Sequence, residues 1–409
     1  MRTRAPGRPR PAFLLGPAFV AAVAYVDPGN VAANITAGAR HGHLLVWVLV
    51  AASVMAVLVQ YQSAKLGIVT GRSLPAVLGE RLPTGRRRAY WAQAELVAAA
   101  TDVAEVIGGA IALNLLFGVP LLLGGVITGV VSIALLQLQS RDAAWRFELV
   151  VAAFLAVITL GFLAGLVVAP PDPGATLGGL VPRFDGTDSV LVAAGMLGAT
   201  VMPHAVYLHS SLVVDRFGSS ADPARTPRLL RATRVDVVGA LAVAGTVNIC
   251  LLLLAATALP GREGTDTIEG AHAAITDGLG PVVGVVFAVG LLASGLASTS
   301  VGCYAGSEIM AGLLRIRVPV LLRRSVTLVP ALVLLALGGE PTMLLVLSQV
   351  VLSFGIAFAV IPLRRLTGDA ALMGEHRDGP ALRAASGVSV ALIVALNVAL
   401  LWLTFTGAG

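Results

Sequence analysis

Long apolar runs, parted by short polar segments, divide the chain into eleven expected spans. They lie at about 12–39, 44–69, 89–117, 119–140, 146–169, 187–214, 232–259, 280–312, 319–338, 341–363 and 384–406. Each reaches or approaches the ~20 apolar residues that cross a bilayer as a helix. The first is interrupted. Fifteen almost wholly apolar residues, Ala12 to Val26, meet Asp27-Pro28-Gly29-Asn30, and a short second piece follows from Val31 to Ala39. Neither half spans a membrane alone, so a carboxylate, a helix breaker and an amide are expected near mid-membrane. A charge at that depth costs at least ~2.5–3.5 kcal/mol and persists only with a partner or a task.

Span six answers span one with Gly198-Ala199-Thr200-Val201-Met202-Pro203-His204, again a proline and an ionisable group in mid-span. The two spans are five apart, so they enter the membrane in opposite directions. Paired breaks at matching places in two inverted halves are how transporters assemble a midplane ion site. The expected fold is therefore an all-α polytopic membrane protein forming one transmembrane domain. Repeat one covers about 12–169, repeat two about 187–363, and one additional helix covers about 384–406.

Composition agrees with lipid as the main solvent. The chain is 57% hydrophobic and 12% charged, with mean hydropathy +0.89, against roughly 25% charged residues in soluble domains. A pI near 10 would suit nucleic acid if the basic residues shared one face. They gather instead in short loops between apolar runs. With a cytoplasmic N-terminus, only Arg40, Arg183 and Arg262 of the 28 Lys and Arg lie outside, as the positive-inside rule favours. That orientation leaves the C-terminus outside the cell membrane. Arg2, Arg4, Arg8 and Arg10 before an apolar run and Ala22-Val23-Ala24 also fit a cleaved signal peptide, but a basic start is equally ordinary for a cytoplasmic N-terminus. The outer loops carry Asp172, Asp185, Asp188, Glu263, Asp266 and Glu269, as solvated loops do. Cys250 and Cys303 sit in apolar segments and suggest neither a disulfide framework nor a zinc pattern.

Proline geometry indicates what the breaks expose. Pro203 leaves the Ala199 carbonyl without its helical donor, and Pro28 does the same to Ala24. An unpaired carbonyl in hydrocarbon needs a partner, and a cation is one. The candidate metal ligands are the Asp27 carboxylate, the Asn30 amide oxygen, the Ala199 carbonyl and the Met202 thioether. Oxygen ligands alone suit Mg²⁺ and Ca²⁺, whereas a thioether favours softer ions such as Mn²⁺, Fe²⁺, Co²⁺ or Cd²⁺. A methionine in a span is otherwise packing. Gln349 in span ten either reaches a neighbouring metal or bonds helix to helix; Asn248 in span seven is in the same position.

Glu95, Asp102 and Glu105 fall on one face of span three. Three carboxylates facing lipid are untenable, so this face lines protein or water. His204, Arg323 and Arg324 are the available partners. Such a set either relays protons or forms a structural ion-pair network. His209 reads as a packing or capping residue.

Together, Asp27-Pro-Gly-Asn30, Ala199-Thr-Val-Met-Pro-His204 with Tyr207-Leu-His-Ser, Thr101-Asp-Val-Ala-Glu105 and Ser348-Gln-Val-Val-Leu-Ser-Phe-Gly355 resemble the Nramp family of proton-coupled divalent metal transporters. The likeness runs from about Ala12 into span eleven. It implies a LeuT-like (APC-type) five-plus-five inverted repeat with helices one and six unwound at the centre. It implies metal coordination by Asp27, Asn30, the Ala199 carbonyl and Met202, joined in some conformations by Gln349. It ties Asp27 and His204 to proton transfer, and Asp102, Glu105, Arg323 and Arg324 to a polar path inward. The magnesium-transporting branch lacks the methionine, so Met202 points to Mn²⁺ or Fe²⁺ import with H⁺, without a resident cofactor. Two positions depart from the pattern: Ala205, where many members have asparagine, and Ala357, where a proline often stands.

The sequence is compatible with rival functions. One is a Na⁺-driven amino-acid symporter on the same architecture, whose substrate carboxylate Asp27 would repel. Another is a Mg²⁺ or unselective divalent-cation transporter. An intramembrane enzyme lacks its motifs, since no His-Glu-x-x-His, Gly-x-Gly-Asp or Gly-x-Ser-Gly lies within a span. The partners implied are metal ions, protons and lipid, and no nucleic acid. Oligomeric state is open, and a monomer is compatible with the sequence.

Overall fold

A computed structural model describes residues 16–137, 144–218, 225–260, 264, 265 and 267–406. The first residues of span one, the basic segment relevant to a signal peptide, and Arg262, Glu263 and Asp266 lie outside them. Among the described residues every regular element is helical. α1 (Pro17–Val23) runs through a 3-10 turn (Ala24–Val26) to Asp27 and α2 (Pro28–His41). Then come α3 (Val46–Thr70), α4 (Leu74–Arg81), α5 (Thr84–Phe117), α6 (Leu121–Gln137), α7 (Ala144–Val168) and α8 (Pro173–Gly178). The next are α9 (Gly186–Thr200), α10 (Pro203–Phe217), α11 (Thr226–Ala258), α12 (Ile268–Leu279) and α13 (Pro281–Leu313). The last are α14 (Val320–Ala336), α15 (Pro341–Thr367), α16 (Ala370–Met373), a 3-10 turn (Gly374–His376) and α17 (Pro380–Thr406).

Seven of these helices, with α9 and α10 taken as one, are long and apolar enough to cross a membrane. Shorter apolar helices occupy Pro17–Val26, Leu121–Leu136 and Ala152–Val168. Span three begins earlier than its apolar run, because Thr84 to Arg88 continue α5 as a polar helical end. Gly71 and Gly118 terminate α3 and α5 with φ of 63° and 66°, a left-handed region open to a residue without Cβ.

The two interrupted helices lie side by side in opposite directions, since α2 packs on α9 while α1 packs on α10. α5 and α13 cross beside them at glycine. A Cβ on Gly295 would stand 3.0 Å from the Gly109 nitrogen and 3.1 Å from the Glu105 carbonyl oxygen. Small residues let membrane helices approach this closely where no hydrophobic force drives them together. Ile107, Ile111, Phe162 and Phe287 fill the surrounding core, with the two phenyl rings edge to face at 5.7 Å. Large apolar side chains such as Leu160, Val130 and Trp402 remain exposed, as lipid requires.

At the end of α3 near Thr70, an ion pair is buried. Lys65 Nζ lies 2.8 Å from Asp378 Oδ1, and Gln62 Nε2 donates to Asp378 Oδ2 at 2.6 Å. The Asp378 backbone N–H donates to the Thr367 carbonyl at the end of α15, at 2.9 Å. Arg81 at the end of α4 pairs with Asp369 at 2.9 Å, and that hydrogen bond holds the Asp369 carboxyl below its ordinary range. These ties fold the α15–α17 connector onto α3 and α4.

Candidate metal centre

The first break is built by Asp27 capping its own helix. Its extended backbone (φ −81°, ψ 168°) ends the 3-10 turn, and Pro28 opens α2, where a missing N–H costs nothing. Asp27 Oδ1 accepts from the Asn30 backbone N–H at 2.7 Å and from Asn30 Nδ2 at 2.8 Å. The second break has the same form. Val201 and Met202 are non-helical, and Pro203 opens α10.

Asn30 joins the breaks. Its Nδ2 also donates to the Ala199 carbonyl at 2.9 Å, the carbonyl that Pro203 deprives of a helical donor. Asp27, Asn30, Ala199 and Met202 are all fully buried. With the amide nitrogen so engaged, Asn30 Oδ1 and Asp27 Oδ2 have no hydrogen-bond partner among the described residues. Gln349, 4% exposed on α15, lays its amide against Gly29, where a Cβ would collide with its Nε2 and Cδ. Gln349 Oε1 is a third buried oxygen without a partner. Buried acceptors are costly unless something donates to them or a cation coordinates them. These three oxygens carry a single formal charge, that of Asp27, and the buried Met202 thioether lies at the second break. Among the described residues no three His, Cys, Asp or Glu side chains converge as metal ligands. Asp27 is the one carboxylate among the candidate ligands; the others are amide, carbonyl and thioether.

The other carbonyls at the first break are satisfied differently from the proline expectation. The 3-10 turn shifts the exposed acceptors to Tyr25 and Val26. Asn248 Nδ2 on α11 donates to Tyr25 O at 2.8 Å, and Ser294 Oγ on α13 donates to Val26 O at 2.5 Å. Asn248 Oδ1 accepts in turn from Asn34 Nδ2 at 2.9 Å. The Tyr25 hydroxyl accepts from Gln60 Nε2 at 2.7 Å, and Gln60 Oε1 lies 2.8 Å from His209 Nδ1. His209 thus belongs to a buried polar chain from α3 to the first break. Gln60, Tyr25 and Ser294 went unremarked in the sequence. Their visible signal was the polar stretch Gln60 to Lys65 near the end of an otherwise apolar span.

The carboxylates of α5 form a graded stripe. Gly108 packs against the Pro28 ring, so Glu105, three residues along, lies about one turn (~4.5 Å of rise) from the break. Glu105 is fully buried, and both its oxygens lack partners among the described residues. Asp102 pairs with Arg324 at 3.0 Å, both side chains at most 1% exposed, and Arg324 Nε donates to Ser132 Oγ at 2.9 Å. Glu95 pairs with Arg323 at 2.6 Å, and its side chain is 23% exposed. The stripe therefore runs ~15 Å along the helix axis, from sealed at Glu105 to open at Glu95. His204 reaches no carboxylate directly. Its Nδ1 lies 3.4 Å from Thr101 Oγ1, beside Asp102, and its Nε2 is unpartnered among the described residues.

Residues 18–403 match the family described as natural resistance-associated macrophage protein-like. A divalent metal cation transporter MntH of Mycobacterium tuberculosis is 60% identical over 97% of this chain and 92% of its own length. A Bacillus subtilis protein of the same name is 44% identical over 96% and 92%. Among solved structures, an Eremococcus coleocola manganese transporter superposes with a TM-score of 0.86 at 30% identity, covering 95% of this chain and 86% of that one.

Proposed function

Because the chain belongs to the Nramp family, we propose that it imports divalent transition-metal ions, Mn²⁺ or Fe²⁺ foremost, by alternating access coupled to protons. Divalent metal transport follows from relatives named for that activity across nearly the whole chain. The observation that carries the site is the set of three unpartnered buried oxygens at the first break, on Asp27, Asn30 and Gln349, with the buried Met202 at the second break. A hard divalent ion is satisfied by such oxygens, and the thioether adds preference for a softer one.

The residues divide the work. Asp27 supplies the one negative charge that offsets half of the ion's two positive charges. Asn30 fixes Asp27 and Ala199 in one frame, so the carboxylate and carbonyl face the same point. Met202 and Gln349 complete the shell from the second break and from α15. Rocking α1 and α10 against α5 and α13 opens one side of the site at a time. Protons follow the α5 stripe, from Asp27 past Glu105 and Asp102 to Glu95, with His204 beside it. The orientation that places basic loops in the cytoplasm makes Glu95 the inner end. The two inverted halves and the additional helix form a single transmembrane domain. An amino-acid substrate fits less well, since Asp27 would face its carboxylate.

The test is uptake into proteoliposomes under an inward proton gradient, comparing Mn²⁺ and Mg²⁺ for wild type and Met202→Ala. Strong Mn²⁺ entry with weak Mg²⁺ entry, and loss of that contrast in the variant, supports the reading. Equal entry of both ions by wild type overturns the transition-metal assignment. Entry of neither overturns metal transport.

A further inference from the structure

α17 lies outside the two halves, and only 22% of its most apolar window is buried. It carries a single amide side chain, Asn397, flanked by Leu396 and Val398. Asn397 Nδ2 donates to the Ser353 backbone carbonyl on α15 at 2.6 Å. The Ser353 hydroxyl is occupied within its own helix by the Val350 carbonyl at 2.8 Å, so α17 grips the backbone of α15 itself.

That carbonyl is one helical turn from Gln349. The same turn is held on its other sides by contacts that leave little play. A Cβ on Gly198 of α9 would stand 2.8 Å from Ser353 Cβ and 3.4 Å from the Gln349 carbonyl oxygen. The Gln349 amide itself abuts Gly29 at the first break. A Cβ on Gly355 would stand 2.6 Å from Val97 Cγ2 and 3.0 Å from Pro203 Cγ. Residues 349–355 are thus pressed between both breaks and α5, and Asn397 ties the remaining side. Ala357 retains its N–H, so Ser353 O has its helical donor and accepts Asn397 on the second lone pair. The carbonyl does not need Asn397, and the bond therefore serves to place α15.

We infer that Asn397 is a positioning residue for the metal site: it holds the Gln349–Ser353 turn so that the Gln349 amide stays at Gly29, beside Asp27. This rests on the proposed metal site. The additional helix then acts as the outer clamp of one ligand.

The experiment is a double-mutant cycle on purified full-length protein, reading Mn²⁺ affinity by calorimetry and KM and maximal rate by proteoliposome uptake. Asn397→Leu keeps the volume and removes the donor; Asn397→Ser is too short to reach and covers the case in which the leucine variant does not fold. Each is expected to weaken Mn²⁺ binding and raise KM about three- to tenfold, the range of a membrane hydrogen bond, with the maximal rate within about twofold. In a Gln349→Ala background the same substitutions are expected to add nothing, whereas a merely structural anchor would still add its full effect. Wild-type affinity in both Asn397 variants, or fully additive losses, overturns the inference alone. No Mn²⁺ binding by wild type overturns the metal-site reading with it.

Discussion

The side-chain nitrogen of Asn30 lies 2.9 Å from the carbonyl oxygen of Ala199, 169 residues further along the chain. It also lies 2.8 Å from Asp27 Oδ1. One amide therefore fixes the spacing of the two helix breaks and leaves its own oxygen without a hydrogen-bond partner among the described residues. Asn30→Ala leaves the Ala199 carbonyl and Asp27 Oδ1 each short of a donor, at ~1–3 kcal/mol per buried group. Mn²⁺ uptake is expected to fall at least tenfold, with a lower unfolding temperature by scanning fluorimetry. Near-normal uptake in a stable variant would remove Asn30 from the site.

The Arg324–Asp102 pair separates stability from proton coupling. Arg324→Met strands a buried carboxylate, and breaking such a pair from one side costs ~3–5 kcal/mol. The double substitution Arg324→Met with Asp102→Leu is expected to recover most of that stability. Proton entry accompanying Mn²⁺, read with a pH-sensitive dye inside the vesicles, is expected to stay low in both. Full proton entry in the stable double variant would make the pair purely structural.

Two helical glycines differ in what a methyl group would meet. Gly108→Ala drives Cβ into the Pro28 ring, a rigid obstacle, and overpacking of this kind costs ~1–3 kcal/mol. Gly239 on α11 has nothing within 4 Å of its would-be Cβ, so Gly239→Ala gains helix propensity of up to ~1 kcal/mol. Thermal unfolding and Mn²⁺ uptake of the two variants are expected to move in opposite senses for stability, with uptake lost only in Gly108→Ala.

Ser294 and Asn248 hold adjacent carbonyls of one 3-10 turn. Ser294→Ala and Asn248→Leu are each expected to lower stability by about 1 kcal/mol. Because they act on the same turn, the double variant should lose less than the sum. Strict additivity in denaturation experiments would mean that the turn is not held as a unit.

Much of this site is readable in the chain because its chemistry is local. Asp27, Pro28 and Asn30 lie within one turn, as do Ala199, Met202 and Pro203, and proline rules fix where each helix stops. The α5 stripe follows from helical spacing alone. What spacing does not give is which distant group meets which. Lys65 and Asp378 are 313 residues apart, and in sequence Asp378 is one more acid in a polar connector. The proline rule also pointed to the Ala24 carbonyl at the first break, whereas the carbonyls that accept side-chain donors there are those of Tyr25 and Val26. It assumed an α-helix up to Pro28, whereas the chain tightens into a 3-10 turn and presents Tyr25 and Val26 instead. Asn397 was passed over because a single amide in a peripheral span carries no pattern.

Arg323 and Arg324 sit in α14, at most 3% exposed, with their partners on α5. During synthesis α5 leaves the ribosome more than 200 residues earlier and has no counter-charge for Asp102 until α14 follows. α14 in turn enters lipid with two arginines that hydrocarbon alone disfavours by ~2.5–3.5 kcal/mol each. Each helix is a poor solitary guest of the bilayer and a good one beside the other. The Asp102–Arg324 pair can therefore close only once α14 has been made, more than 200 residues behind α5. A chain truncated before α14 would leave Asp102 and Glu95 without their arginine partners.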